Sequence, residues 1–349
     1  MPVGRQVRHE ASLIFTARRY LKWDGGFQTV TVEPVVRLDL GGGRRSRVDF
    51  TDLSWQKRWH DWQLRVGMRE VFWGVTESLN LVDVINQQDL TESGAGFAKL
   101  GQPMVNLTMT RNWGTIDFFL LPWFRERRFV GRGGRLWSPL RVHTDGAVFE
   151  SKARRRHLDW AVRWTHAIGN WEIGLSHFAG TRRDPRFVSG TDEAGRTVLI
   201  PHYDLMDQTG LDVQWTTGGW LWKLEAMTRN STNGRFAAVA GGFEYAFADF
   251  LSVYAEYVFD SRGAEATTSF ENDLFAGARL TLQDGEIRTG AFLDPRTGNT
   301  VLSMEVIRRL SDNATLAAEV RLFEGNSSRE PRYAPRQDGS IALTISRYF

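Results

Sequence analysis

The chain has 349 residues, a formal net charge of +3, 14 Trp, 22 Phe and no cysteine. Without cysteine, a disulfide framework and a thiolate metal site are both excluded. No stretch approaches the roughly 18 consecutive apolar residues of a membrane helix. Mean hydropathy is also negative, at −0.36, so a helical membrane protein is excluded. A strand barrel is not excluded, because half of its strand residues face water and its hydropathy averages to that of a soluble protein. The aromatic content fits either a membrane interface, where Trp is favoured, or a carbohydrate-binding β-protein.

Alternation of apolar and polar residues over about ten positions recurs along the chain, whereas spacing by three and four does not persist, so the chain is predicted to be all-β. The first ladder spans roughly Glu10 to Lys22. Further ladders follow at Leu158 to Trp164, Leu211 to Trp215, Trp220 to Arg229, Leu251 to Asp260, Leu274 to Leu282, Leu302 to Arg309 and Leu316 to Phe323. Tight turns are predicted at Asp24 to Gly26, Trp59 to Asp61, Asn112 to Trp113, Ile168 to Asn170, Thr217 to Gly218, Ala248 to Asp249, Gln283 to Gly285 and Leu310 to Asn313. Between them lie the connections Leu40 to Arg45, Phe72 to Gln102, Trp123 to Arg156, Thr181 to Leu205, Asn230 to Gly234, Ser261 to Glu271, Asp294 to Gly298 and Glu324 to Gln337, most of them long. A soluble Greek-key sandwich does not maintain short and long links in strict alternation. A transmembrane barrel does, with short periplasmic turns and long extracellular loops.

The expected fold is therefore an antiparallel transmembrane β-barrel of about 16 to 18 strands, forming a single domain over residues 1–349. The ladders number about 17, yet bacterial single-chain barrels have even strand numbers. The opening residues also lack the charged and apolar regions of a signal peptide. Together these suggest a reading frame that starts earlier and supplies both a signal peptide and one outward-running strand. A miscount, or a 16-strand barrel with an inserted hairpin, is the alternative. At the other end, Ile341, Leu343, Ile345 and Phe349 share a face, and the terminal Phe349 resembles the signal read by the barrel-insertion machinery.

Three groups of residues are candidates for function. The connection 72–102 contains Leu79, Leu81, Val82, Val84 and Ile85, which are unfavourable at a water-exposed loop tip. It is expected to fold inward as a lumen-constricting loop and to present Glu77, Asp83, Asn86, Gln87 and Asp89; an external lid is the alternative. The inward faces of the ladders carry Glu33, Arg37, Arg65, Arg69, Asp159, Arg163, Asp212, Lys223, Glu225, Glu256, Arg279, Glu305, Arg309, Glu319 and Arg321. Opposed charges in a pore orient hydrated solutes, and cross-strand ion pairs that stabilise the wall are an equal reading.

The third group lies in the Arg-rich extracellular loop 123–156. Ten Arg or Lys stand there against three Asp or Glu, an excess of +7 that leaves about −4 for the rest. Arg125, Arg127, Arg128, Arg132, Arg135, Arg141, Arg154, Arg155 and Arg156 are suited to lipopolysaccharide phosphates or an anionic solute, since guanidinium binds both phosphate and carboxylate bidentately. A solvated basic loop is the alternative, because 39 Arg and only five Lys occur in the chain. No nucleic-acid recognition fold accompanies the charge. No metal or cofactor is expected. Catalysis is not expected either: no His lies two residues before a Ser, and no Asp-Asp pair occurs.

The segment Phe72-Trp73-Gly74-Val75-Thr76-Glu77-Ser78, continued by Leu81-Val82-Asp83-Val84-Ile85-Asn86-Gln87 and Leu100-Gly101-Gln102-Pro103-Met104-Val105-Asn106-Leu107, resembles a family of uncharacterised Gram-negative outer-membrane porin-like proteins. Gln208-Thr209-Gly210-Leu211-Asp212 and Asn272-Asp273-Leu274-Phe275-Ala276-Gly277-Ala278-Arg279-Leu280 share the likeness, which extends from about Asp49 to Phe349. The resemblance implies an outer-membrane barrel and carries no catalytic residues. The expected function is a channel for small hydrophilic solutes, anions among them. The alternatives are a plugged structural or adhesive barrel and, third, a rim enzyme. Oligomeric state is left open.

Overall fold

The computed structural model describes residues 11–40, 45–91, 98–129, 140–232, 234–263, 266, 271–324 and 339–349. Alternating apolar and polar side chains produce long antiparallel strands. Eighteen segments join in one sheet, and the first two are collinear on a shared partner, which makes seventeen wall strands. Strand β1 comprises Ser12–Thr16 and Arg19–Trp23, followed by β2 (Gln28–Asp39), β3 (Arg47–Trp59), β4 (Trp62–Arg69), β5 (Gln102–Arg111) and β6 (Gly114–Leu121). The wall continues through β7 (Asp159–Ile168), β8 (Trp171–Thr181), β9 (Leu205–Thr217), β10 (Trp220–Ser231), β11 (Gly234–Ala248) and β12 (Leu251–Asp260). It ends with β13 (Asn272–Leu282), β14 (Gly285–Leu293), β15 (Thr300–Ser311), β16 (Ala314–Glu324) and β17 (Ser340–Arg347). Each strand pairs antiparallel with its neighbours in sequence, as in a meander.

The eight tight turns fall where the composition placed them, within a residue or two, because Gly, Asn and Asp there meet the backbone demands of short reversals. Gly169 and Gly218 adopt positive φ in two of them.

The two faces of the sheet are inverted relative to a soluble protein. In β10, Trp222 and Leu224 are exposed while Lys223 and Glu225, which alternate with them, are buried. The same inversion holds in β8, where Leu175 is exposed and the neighbouring Ser176 is buried. A polar face turned inward and an apolar face turned outward are stable only where lipid surrounds the wall. At the short-turn end, Trp23, Trp59, Trp113, Trp171, Trp220, Phe247 and Phe250 are exposed and form an aromatic girdle. Trp171 stacks on Trp215 across β8 and β9 at 5.3 Å, and Trp220 lies 4.5 Å from Tyr245. Such amphipathic rings mark the level of the headgroups.

Among the described residues, β1 and β17 each have one unpaired edge, and the odd count makes them run in the same direction. Open backbone edges are costly in hydrocarbon. One further strand antiparallel to both would satisfy these edges, as would parallel pairing of β1 with β17.

Candidate functional site: an inward-folded loop and its docking wall

The connection between β4 and β5 folds against the inner face of the wall. Its apolar residues dictate this, since they find an apolar strip there. Val71, Trp73, Val82, Val84 and Ile85 are buried with Met104, Phe119, Leu121, Ala161, Phe178 and Met206 of strands β5 to β9. Leu81 continues the strip with Met227, Phe236, Ala238, Ala240 and Val258 of β10 to β12, and Leu79 and Phe292 pack against it. The loop thus runs along the inside of the barrel from the strand it precedes to strands far around the wall.

Two buried carboxylates hold its tip. Glu225 Oε1 accepts from Val75 N at 2.7 Å, Thr76 N at 3.0 Å, Thr76 Oγ1 at 2.8 Å and Asn80 Nδ2 at 3.3 Å, while its Oε2 accepts from Val82 N at 3.2 Å. Glu256 accepts from Glu77 N and Ser78 N, both at 2.8 Å. Backbone N–H groups that would otherwise be orphaned inside the barrel are therefore paired with charged acceptors, the stronger kind of hydrogen bond. Gly74 makes the turn possible: its φ of +134° suits glycine, and a Cβ there would lie 2.8 Å from Glu225 Oε1.

Of the five residues expected to present themselves from this loop, two keep partial exposure and three are enclosed. The Glu77 carboxylate receives Lys223 Nζ at 2.7 Å and Arg279 Nη2 at 3.1 Å, and both cations also reach Glu244, at 3.1 and 3.0 Å. Asp83 pairs with Lys99; burial pushes its carboxyl above the ordinary aspartate range, opposed by that lysine and by Trp73 N–H. Asn86 is buried and staples the stems of the loop together, accepting from Val71 N and donating to the carbonyls of Arg69 and Leu100. Gln87 is fully buried between Arg125 O and Arg127 Nε. Asp89, equally buried, takes Arg47 at 2.7 Å and Arg128 at 3.1 Å.

The charges on the strands are largely paired. Arg163 meets Asp212 at 2.7 Å and lies over the Trp73 ring, and Asp159 meets Arg183 at 2.8 Å. Glu33 pairs with Arg18, Glu319 with Arg321 at 2.7 Å, and Glu305 stands 4.0 Å from Arg288. Arg37 donates to Ser12 Oγ, Arg65 to Gln56 and Arg69 to Asn106. Arg309 is exposed near the β15–β16 turn.

Within the Arg-rich connection, Arg125 reaches inward to Asp49 at 2.6 Å, Arg127 to Gln87 and Gln88, and Arg128 to Asp89. These three brace the inward loop. Arg154, Arg155 and Arg156 occupy a single exposed 3-10 turn, with Arg155 on Glu126 at 2.5 Å. Arg141 lies 4.0 Å from Asp192, and Arg132 and Arg135 lie outside the described residues.

A relay not anticipated from the sequence supports the loop from the β8–β9 connection. Asp184 binds Arg229 at 3.1 Å, Arg229 donates to Gln208 Oε1 at 2.8 and 2.6 Å, and Gln208 Nε2 donates to Leu81 O at 3.2 Å. Arg183 Nε adds a bond to Ile85 O at 3.0 Å. The available signal was Gln208 itself, inside the segment quoted for its family likeness. Burial pushes Asp184 up, but Arg229, Arg182 and Arg127 outweigh it and hold its carboxyl well below the ordinary range. A lowered folded pKa contributes stability that is full above the unfolded value and is lost as pH falls through the folded one. Loop anchoring is therefore expected to persist from neutral pH down to about 4, the unperturbed aspartate range, and Asp184→Asn to show at pH 7 the loosening that the parent shows only in stronger acid. Protease sensitivity of the 72–102 connection across a pH series measures both.

Gly210 is a second unforeseen element. A Cβ built on it lies 2.8 Å from Val82 Cγ1 and 2.9 Å from Ser176 Oγ. Gly210→Val is expected to lift Val82 from the wall and destabilise the seated loop by about 1–3 kcal/mol, the usual range for overpacking, with β-sheet content by circular dichroism unchanged. A seated, protease-resistant loop in this variant would refute the close packing described.

A meander wall with an apolar exterior, an inner face that carries the charges and an inward-folded connection is the architecture of a transmembrane β-barrel. Among solved structures, the chain is similar to an engineered mutant of the Rh. blastica porin, with 11% identity over 97% of this chain and 91% of that chain and a TM-score of 0.47. It is also similar to OmpT, an outer membrane protein of Vibrio cholerae in trimer form, with 10% identity, 92% and 91% coverage and a TM-score of 0.43. No protein-family model and no curated protein matches the sequence.

Proposed function

We propose that this barrel is a passive channel for small hydrophilic solutes in the outer membrane of a Gram-negative bacterium. One observation carries the reading: the loop covers one arc of the inner wall and leaves charged side chains accessible on another. Where it docks, Glu225, Glu256 and Asp212 are buried. Beyond it, Arg288 on β14 is 48% exposed, Glu286 and Glu305 27%, and Arg321 on β16 26%. Charged groups that keep water on the inner face of a barrel of this size line an aqueous path. Glu77, Lys223, Arg279 and Glu244 form the border between the filled and open arcs. The arginine excess of the outer connection favours a modest preference for anions.

Single-channel recording of the refolded barrel in a planar bilayer tests this. Stable open steps are expected, with a reversal potential in a salt gradient displaced toward anions. A folded, heat-modifiable barrel that passes no current would overturn the channel and favour a plugged structural role.

A further inference from the structure

Where the β4–β5 and β6–β7 connections meet, a cavity of about 240 Å³ is lined by Leu100, Trp123, Phe124, Arg125, Glu126, Arg128 and Arg155. Three of these are arginines and one is acidic. We propose that this cavity binds a phosphomonoester carried on a sugar, whether a lipid headgroup or a free solute.

The charge balance points to an anion. Arg125 gives Nη2 to Asp49 and Nη1 to Gly101 O, Arg128 gives Nη1 to Asp89, and Arg155 gives Nε to Glu126. Each guanidinium keeps further N–H donors beyond these bonds. Asp89 is already shared with Arg47, and Arg154 and Arg156 flank Arg155 on the same turn, so cations outnumber carboxylates around the cavity. Several guanidinium groups converging on one cavity suit the three acceptor oxygens of a phosphate.

The geometry adds a place for the sugar. Trp123 is 41% exposed at the cavity, and an indole face offers apolar area to a sugar ring. The frame is rigid on both sides: Gln102 Nε2 holds Trp123 O at 2.6 Å, and Phe124 N donates to Arg155 O at 2.7 Å. Arg125 and Arg128 are fixed by buried or half-buried carboxylates, so little side-chain freedom is lost on binding.

The test is binding by the refolded full chain, which is independent of whether it conducts. Titration calorimetry would use glucose 6-phosphate with glucose as control, and a flotation assay would use lipopolysaccharide vesicles before and after phosphatase treatment. Arg155→Gln and Arg128→Gln are each expected to weaken the phosphate-bearing probe about tenfold. Glu126→Gln, which removes the one acidic group from the lining, is expected to strengthen it several-fold, a direction that loss of folding does not produce. Binding of glucose 6-phosphate alone assigns the site to a free solute; phosphate-dependent vesicle binding alone assigns it to lipid. If neither probe binds, or if the three variants bind as the parent does, the proposal is wrong.

Discussion

Replacing Glu225 by alanine is expected to unseat the inward loop and to raise single-channel conductance about twofold or more, the largest single effect in this barrel. Its carboxylate collects four backbone or side-chain donors from residues 75–80 on one oxygen and Val82 N on the other. Without it, those donors face an apolar, water-poor strip, and each unpaired group costs about 1–3 kcal/mol. The cost exceeds what neighbouring bonds from Gln208 and Arg183 can offset, so the loop leaves the wall rather than remaining seated with vacant donors. Glu225→Gln should be intermediate: one amide oxygen can still accept, but its NH2 group opposes the N–H of whichever partner faces it. Conductance and protease cleavage within 72–102 should rise together. Unchanged conductance in the alanine variant, with a cleaved loop, would show that the loop does not restrict the path.

Glu77→Gln is expected to change selectivity rather than size. Glu77 and Glu244 together balance Lys223 and Arg279 at the edge of the accessible arc. Removing one carboxylate leaves a net positive charge there. A unit charge about 7 Å from a permeating ion contributes roughly 0.6 kcal/mol in water. The change lowers cation passage and favours anion passage, so the two contributions combine to an anion-to-cation ratio about sevenfold higher before screening. At high salt the shift should fade, since the Debye length falls to about 3 Å at 1 M. Reversal potentials at two ionic strengths measure this. A shift toward cations, or none at low salt, would place the ion path away from Glu77.

The wall was legible because strand barrels write their geometry in short-range pattern. Alternation fixes which face of each ladder is lipid-facing, and turn residues such as Gly169 and Gly218 mark the reversals, so strand order follows from local signals alone. Leu79 to Ile85, apolar at a supposed loop tip, likewise announced that the 72–102 connection folds away from water, and burial of Val82 and Ile85 follows from that.

Partnership was decided only by the tertiary structure. The sequence offered Glu225 and Glu256 merely as inward charges, and nothing in their spacing distinguishes a carboxylate facing water from one collecting backbone N–H groups contributed from about 150 or more residues away. Arg125, Arg127 and Arg128 look like the other arginines of their connection, yet they turn inward while Arg154 to Arg156 stay exposed. The reason is physical: alternation is set by lipid and water acting on each residue separately, whereas an ion pair or a capped backbone group depends on two segments meeting across the barrel. Polypeptide sequence alone determined the wall of this protein and the inward tendency of its loop; the tertiary fold decided which carboxylates hold that loop and which charges are left to face water.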